Sequence, residues 1–207
     1  MSPKRRFLTA MLGGKPDQLP VGNVVSVTTV EQMRLVDVWF PEAHFNPEMM
    51  ARLAAASYEV LEYDTIMPVF SVTQEAAALG CKVDWGSPEM MPTVLSHPFA
   101  QNNDFGLPNG WMETPPIQIV LESLRLLRQQ YGDHVVIVGK VMGPWTLSYH
   151  MMGTEEFLIS TKLDPDRVRR SMNTLKAVSL AFAQAQIQAG ADIICLADHA
   201  SGGGQDG

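Results

Sequence analysis

The run HVVIVGKV, His134 to Val141, constrains the fold more tightly than any other part of the chain. Its apolar residues follow one another without alternation, and a strand of that kind needs cover on both faces. Three more segments share its character: LPVGNVVSV (Leu19–Val27), DTIMPVF from Asp64, and ADIICLA (Ala191–Ala197). Stretches of helical period separate the strands, so the connections are long enough to cross back over a sheet. That order predicts parallel strands with helices packed on them, the α/β class.

The helices are punctuated by their own ends. SPKRRFLTAMLGG offers Ser2 as N-cap, Pro3 in the first turn and Gly13 as the stop. NPEMMARLAAASYEVLEY opens on Asn46 and Pro47 and carries Met50, Leu53, Ala54, Tyr58 and Leu61 on one face. A short helix is expected over Thr73–Leu79, closed by Gly80, and a longer one in TPPIQIVLESLRLLRQQYG, closed by Gly132. Two more, one from Thr154 and one over Asp164–Ala189, precede the last strand. Residues 83–110, rich in Pro, Gly and Asn and without a period, are expected to form an excursion with room for one short strand.

With 207 residues and a hydrophobic content of 46%, the chain can bury one sizeable core, and residues 1–207 are read as a single domain. A net charge of −7 argues against nucleic acid or an acidic membrane surface as a partner, and the Lys4-Arg5-Arg6 cluster is too short to change that. No run approaches the roughly 18 apolar residues of a membrane span. Cys81 and Cys195 lie far apart without a paired metal spacing, which predicts two free thiols in a reducing compartment, the cytoplasm.

Barrels of parallel strands carry their chemistry at the carboxyl ends of the strands. The chain breaks at Gly143-Pro144, and Trp145, Thr146, Tyr149 and His150 crowd in directly after the most buried strand. A complete eight-unit barrel takes about 250 residues, and four strands are read here. The expectation is therefore either an open sheet or part of a barrel, with strand edges available for self-association.

Four segments, RRFLTAMLGGKPDQLPV, PVFSVTQEAAALGCKVDWG, VGKVMGPWTLSYHMMG and AGADIICLADHAS, resemble successive segments of the uroporphyrinogen decarboxylase superfamily from Arg5 to Ser201. The resemblance implies a (β/α)8-type barrel, present here as about its first half to two-thirds and truncated at the C-terminus, with a tetrapyrrole or corrinoid bound at the barrel mouth. The decarboxylase branch carries an Arg-rich segment after the first strand and an Asp facing the pyrrole nitrogens. This chain has no Arg there before Arg34, and Val72 follows Phe70-Ser71. Pro68, Thr73, Glu75, Ala76 and Gly80 look more like the corrinoid-dependent methyltransferases, which resembles the methylcobamide:coenzyme M type.

Membership in that branch implies methyl transfer from a corrinoid, free or on a partner protein, to a small thiol or similar acceptor. It also implies zinc, held by a His-x-Cys and a later Cys, which lowers the thiol pKa. No His-x-Cys occurs in this chain, so zinc is not expected on it and no catalysis is expected of it alone. Two alternatives stand beside this reading: a uroporphyrinogen decarboxylase, and a non-catalytic barrel fragment that assembles with another chain.

Six residues are candidates for the corrinoid pocket. Tyr149 and His150 follow the third strand, roughly where the resemblance places a substrate-facing Tyr; a packed histidine is the plain reading of His150. Asp198, with His199, ends the last strand and suits either a pocket or a turn. Thr73 and Glu75 open a short helix, where capping and the helix dipole alone favour them. Asn23 could contact a corrinoid side chain or simply form a turn. Cys195 with His199 supplies only two metal ligands, the 13 methionines suit ordinary core filling as well as a wide cavity, and GGGQDG lacks the Lys of a phosphate loop.

Overall fold

The apolar runs pair in parallel, as their pattern requires. The computed structural model describes residues 1–25, 28–102 and 105–198. Its main sheet has strand order β1 (Thr65–Ile66), β4 (Val136–Met142), β5 (Ile193–Ala197), every pairing parallel. Each residue of β4 is buried, on both faces. Helices α3 (Pro47–Glu59), α5 (Pro115–Tyr131) and α8 (Pro165–Ala189) pack beside one another against the sheet. None of the helices is long and apolar enough to cross a membrane, among the described residues.

The end signals act as expected. Ser2 caps α1 (Pro3–Met11) through Arg5 N, and Asn46 caps α3 through Met49 N. Asp164 caps α8, and Gly190 closes it in the left-handed conformation at φ 117°, where a side chain would be strained. The short helix α4 (Gln74–Ala78) follows Thr73, and α7 (Thr154–Leu163) begins at Thr154. Two helices exceed the sequence expectation. Thr29 and Gln32 form a reciprocal capping box that starts α2 (Val30–Val36), and Pro144 starts α6 (Pro144–Met152), where a strand end alone was expected. The excursion holds not one strand but a hairpin, β2 (Val83–Asp84) against β3 (Thr93–Val94).

The first expected strand, Leu19–Val27, has no regular strand in its described part. Gly22 lies so close to β1 that a Cβ there would stand 2.7 Å from Thr65 Cγ2. Thr65 Oγ1 instead accepts from Asn23 N and donates to Asn23 O, while Asp64 N donates to Val21 O. A side chain thus takes ladder positions that a backbone would hold. Residues 26 and 27 lie outside the described residues. β1 is likewise cut short: Pro68 has no N–H to continue the ladder.

The early end of β1 leaves part of β4 without a strand neighbour, and side chains fill the gap. Val136 N donates to Asp64 O, so the even-numbered residues of β4 face β1; Gly143 N donates to Ala197 O, so the odd-numbered ones face β5. Beyond Ile66 the even-numbered groups find other partners. Lys140 N donates to Gln186 Oε1 and Gln186 Nε2 donates to Lys140 O; Met142 N donates to Glu75 Oε1, and Ser179 Oγ donates to Met142 O. Gly139 makes room for the amide, since a Cβ there would lie 2.7 Å from Gln186 Oε1. Replacing Gln186 with leucine strands a buried donor and a buried acceptor and is expected to lower stability by about 2 kcal/mol in urea unfolding.

Opposite the chemistry-bearing end, the strand starts are pinned by charge. Asp192 accepts from Lys4 Nζ, Arg128 Nη2 and Ile137 N, and Asp64 accepts from Arg6 Nη1 and Val21 N. Helix α1 is thereby fastened across the strand starts, a stabilising role typical of that face of a barrel.

The core holds a buried histidine whose folded and unfolded forms take up a proton at different pH. His44, 1% exposed, has its pKa lowered from 6.5 to about 4 because burial disfavours the imidazolium. Unfolded chains bind the proton below 6.5 and the fold does not until about 4, so stability falls as pH drops through that window. Between pH 6.5 and 5 the loss from this group is about 2 kcal/mol. A His44→Phe chain should lack that slope in paired urea titrations at the two pH values.

Candidate functional site

Three strand ends converge on one rim. After β1 the chain runs through Met67–Thr73 into α4, after β4 it turns at Gly143 into α6, and β5 leads to Asp198. The hairpin and the segment to His97 lie over this rim, which encloses a recess of about 320 Å³ lined by Val72, Thr73, Val94, His97, Thr146, Tyr149, His150 and Thr154 among others.

The backbone around the recess is held by specific bonds. Asp198 Oδ1 accepts from Thr146 N at 2.7 Å and from Thr146 Oγ1 at 2.9 Å, tying the end of β5 to the first turn of α6. The carboxylate thus sits where the unpaired N–H groups and dipole of a helix N-terminus favour it. Trp145 Nε1 donates to Tyr149 Oη at 3.0 Å, and Phe157 packs edge-on against both rings. His97 Nδ1 lies 2.8 Å from His150 O, joining the excursion to α6. Ser71 Oγ donates to Gln74 Oε1 and lies 2.8 Å from Thr73 Oγ1, which fixes the turn into α4.

Of the six residues singled out from the sequence, Thr73, Tyr149 and His150 line the recess. Asp198 stands behind Thr146 as a cap. Glu75 is fully buried behind the rim, with Oε1 on Met142 N and Oε2 without a hydrogen-bond partner among the described residues. Asn23 is level with Thr65 at the start of β1, below the rim, where its Oδ1 accepts from Val25 N in a local turn. His199 and the GGGQDG tail lie outside the described residues.

Three features escaped sequence reasoning. His97 and Val94 come from the aperiodic excursion, which gives no signal of where it folds back. Thr154, read from the sequence only as a helix start, joins the wall once α7 is placed, beside the Thr146 already noted after the strand. Lys140 did carry a signal, a lone cation inside an apolar strand. It is 1% exposed and shares a face with Cys195, its register partner on β5. Burial lowers the Lys140 pKa from 10.5 to about 8, while the nearby Glu75 and Cys195 pull it back up. Burial also pushes the Glu75 carboxyl up, against the Met142 N–H and Lys140.

The donor set does not fit the zinc that the resemblance implied. No group of three or more His, Cys, Asp or Glu could hold a metal among the described residues. Both cysteines are free. Cys81 is buried against His150 O and Met151 Sδ with its thiol pKa pushed up to about 12, the opposite of an activated thiolate.

Comparison with known proteins places this geometry. The chain is 36% identical over 198 residues to a methylated-thiol–coenzyme M methyltransferase of Methanosarcina mazei, covering 96% of this chain and 54% of that protein. It is 32% identical over 196 residues to a methylcobamide:CoM methyltransferase of Methanosarcina barkeri, covering 94% and 58%. A solved structure of a methyltransferase from Methanosarcina mazei superposes with a TM-score of 0.91 at 31% identity, over 96% of this chain and 59% of that one. The chain thus spans a little over half the length of these relatives. Uroporphyrinogen decarboxylases match at 22–24% identity. The parallel sheet with its helices is part of a (β/α)8-type barrel. Since the uroporphyrinogen decarboxylase (URO-D) family matches residues 2–205, nearly every residue on which the rim depends, the chain belongs to that family.

Proposed function

We propose that this chain provides the corrinoid-facing part of a methyltransferase that moves a methyl group from a methylated corrinoid to a small thiol. The observation that carries the reading is the 32% identity, across 94% of the chain, to a protein named a methylcobamide:CoM methyltransferase. In such a reaction the thiolate sulfur bonds to the methyl carbon, and the electron pair of the broken Co–C bond stays on cobalt. The role assigned to this chain is to hold the donor.

The walls of the recess suit that role. Thr73, Thr146, Thr154 and Tyr149 offer hydroxyls and His97 and His150 offer imidazoles, while Val72 and Val94 offer apolar surface. A corrin ring presents a broad apolar face fringed by neutral carboxamides, which such groups can meet without ionic partners. Uroporphyrinogen presents carboxylates, for which arginine forks are the matched partners. The described walls of the recess include neither Arg nor Lys, which favours the corrinoid over the decarboxylase substrate.

The donor is then a corrinoid protein or a free methylcobamide, and the acceptor a small thiol. Two free cysteines suit the cytoplasm. Residues 1–207 are read as one domain. Leu196, 61% exposed on β5, marks an edge through which another copy could associate.

Equilibrium dialysis against methylcobalamin in the dark tests the assignment. The chain is expected to retain the corrinoid, and Tyr149→Ala, which removes both ring and hydroxyl from the wall, is expected to weaken retention about tenfold. No retention by the unaltered chain would overturn the assignment.

A further inference from the structure

A second cavity, of about 180 Å³, lies apart from the rim recess. It is lined by the 3-10 turn Glu42–His44, helix α4, the β2 strand and the start of α5. His44 forms one wall. Phe40 lies flat on one face of its imidazole, with centroids 4.4 Å apart and planes 8° from parallel, and the Trp85 ring stands 5.5 Å away. Trp85 in turn meets Phe45 edge-on at 5.2 Å. Pro115 and Pro116 line the opposite side and, lacking N–H groups, donate nothing from the first turn of α5.

Within this largely hydrocarbon enclosure His44 is an anomaly. It is 1% exposed, and neither Nδ1 nor Nε2 has a hydrogen-bond partner among the described residues. Leaving a buried polar group unpaired costs stability, and a neutral imidazole has one donor and one acceptor to leave. A phenylalanine would stack on Phe40 as well without that cost. Both nitrogens are covered as the ring stands, so a molecule in the cavity reaches one of them as the imidazole turns, and such a partner accounts for a histidine at this place.

We propose that this cavity binds a small uncharged planar molecule bearing a single hydroxyl, of about the size of phenol, anchored by a hydrogen bond to His44. Size sets one bound: an apolar protein cavity of roughly 150 Å³ accepts benzene, so a ring plus one oxygen fits here. Charge sets another, because no ionised side chain lines the walls to repay the desolvation of an ion. Chemistry sets the third. A hydroxyl is both donor and acceptor, so it can pair with whichever nitrogen faces it in either tautomer, while the flat faces of Trp85 and the prolines suit a ring.

The test is a titration of the chain with phenol and, separately, with benzene, followed through the Ile119 methyl and His44 ring signals in NMR. Phenol is expected to bind about fivefold more tightly than benzene, the worth of one ordinary hydrogen bond. His44→Phe should abolish that preference while benzene still binds. Ala77→Leu, which fills the cavity from α4 and leaves His44 in place, should abolish both. Equal affinity for the two probes, absence of any shift at Ile119, or a phenol-soaked crystal with only a water on His44 would overturn the proposal.

Discussion

Replacing Glu75 with alanine is expected to destabilise the chain by about 3–5 kcal/mol, the largest effect of any single substitution at the rim. Glu75 Oε1 is the partner of Met142 N at the point where β1 has ended, and both groups are buried. Alanine leaves that N–H without an acceptor and leaves a cavity beside it. It also removes a carboxyl whose charge, when ionised, favours the buried Lys140 ammonium. Removing one member of a buried charge pair costs more than removing both. Glu75→Gln, which keeps the acceptor, should cost less than half as much as alanine. Combining it with Lys140→Met should cost clearly less than the sum of the two single changes, and a double-mutant cycle in urea reads the difference directly.

The second large effect is expected at Gly143. A Cβ there would collide with Asp198 Cγ and lie 2.5 Å from Asp198 Cβ. Asp198 cannot swing aside without giving up both bonds to Thr146. Gly143→Ala should therefore cost about 3 kcal/mol, at the upper end of ordinary overpacking, and appear as a lowered denaturant midpoint with an unchanged slope. Asp198→Ala alone loses the cap on α6, worth about 1 kcal/mol. Pairing Gly143→Ala with Asp198→Gly, which takes away both Asp198 carbons that meet the new Cβ, removes the collision, so that double variant should cost clearly less than the sum of its two single changes. An additive result would mean that the two residues do not touch.

These residues show where sequence reading works and where it stops. Ser2, Asn46, Asp164 and Gly190 act within a few residues of themselves, so their helices were legible from local chemistry alone. The continuous apolar run around Ile137 likewise declared a strand buried on both faces. Leu19–Val27 carried the same composition, yet Thr65 occupies its ladder positions through a side chain 42 residues away, which no local pattern reveals. The Thr29–Gln32 capping box and Pro144 were readable signals that the neighbouring strand-like and site-like residues obscured.

At the site, the parallel topology places Tyr149 and His150, which follow a strand end, on one rim with Thr73, which opens α4. Glu75 was singled out at a helix start and Asp198 and Asn23 at strand ends, and each accepts from a backbone N–H: that of Met142, of Thr146 and of Val25. A carboxylate beside a strand end can serve a ligand or an unpaired amide, and only the distances separate the two. His97 reaches the recess from an excursion whose path depends on long-range contacts, such as Arg167 Nη2 donating to Phe99 O and Ala100 O.

On the function proposed above, the corrinoid meets the carboxyl ends of β1, β4 and β5. Amide chemical-shift mapping with methylcobalamin, on isotopically labelled chain, tests it most directly. Shifts are expected at Val72, Thr73, Val94, His97, Thr146, Tyr149 and Thr154. Shifts confined to Lys4, Gly132, Val136 and Asp192, at the opposite ends of the same strands, would contradict it.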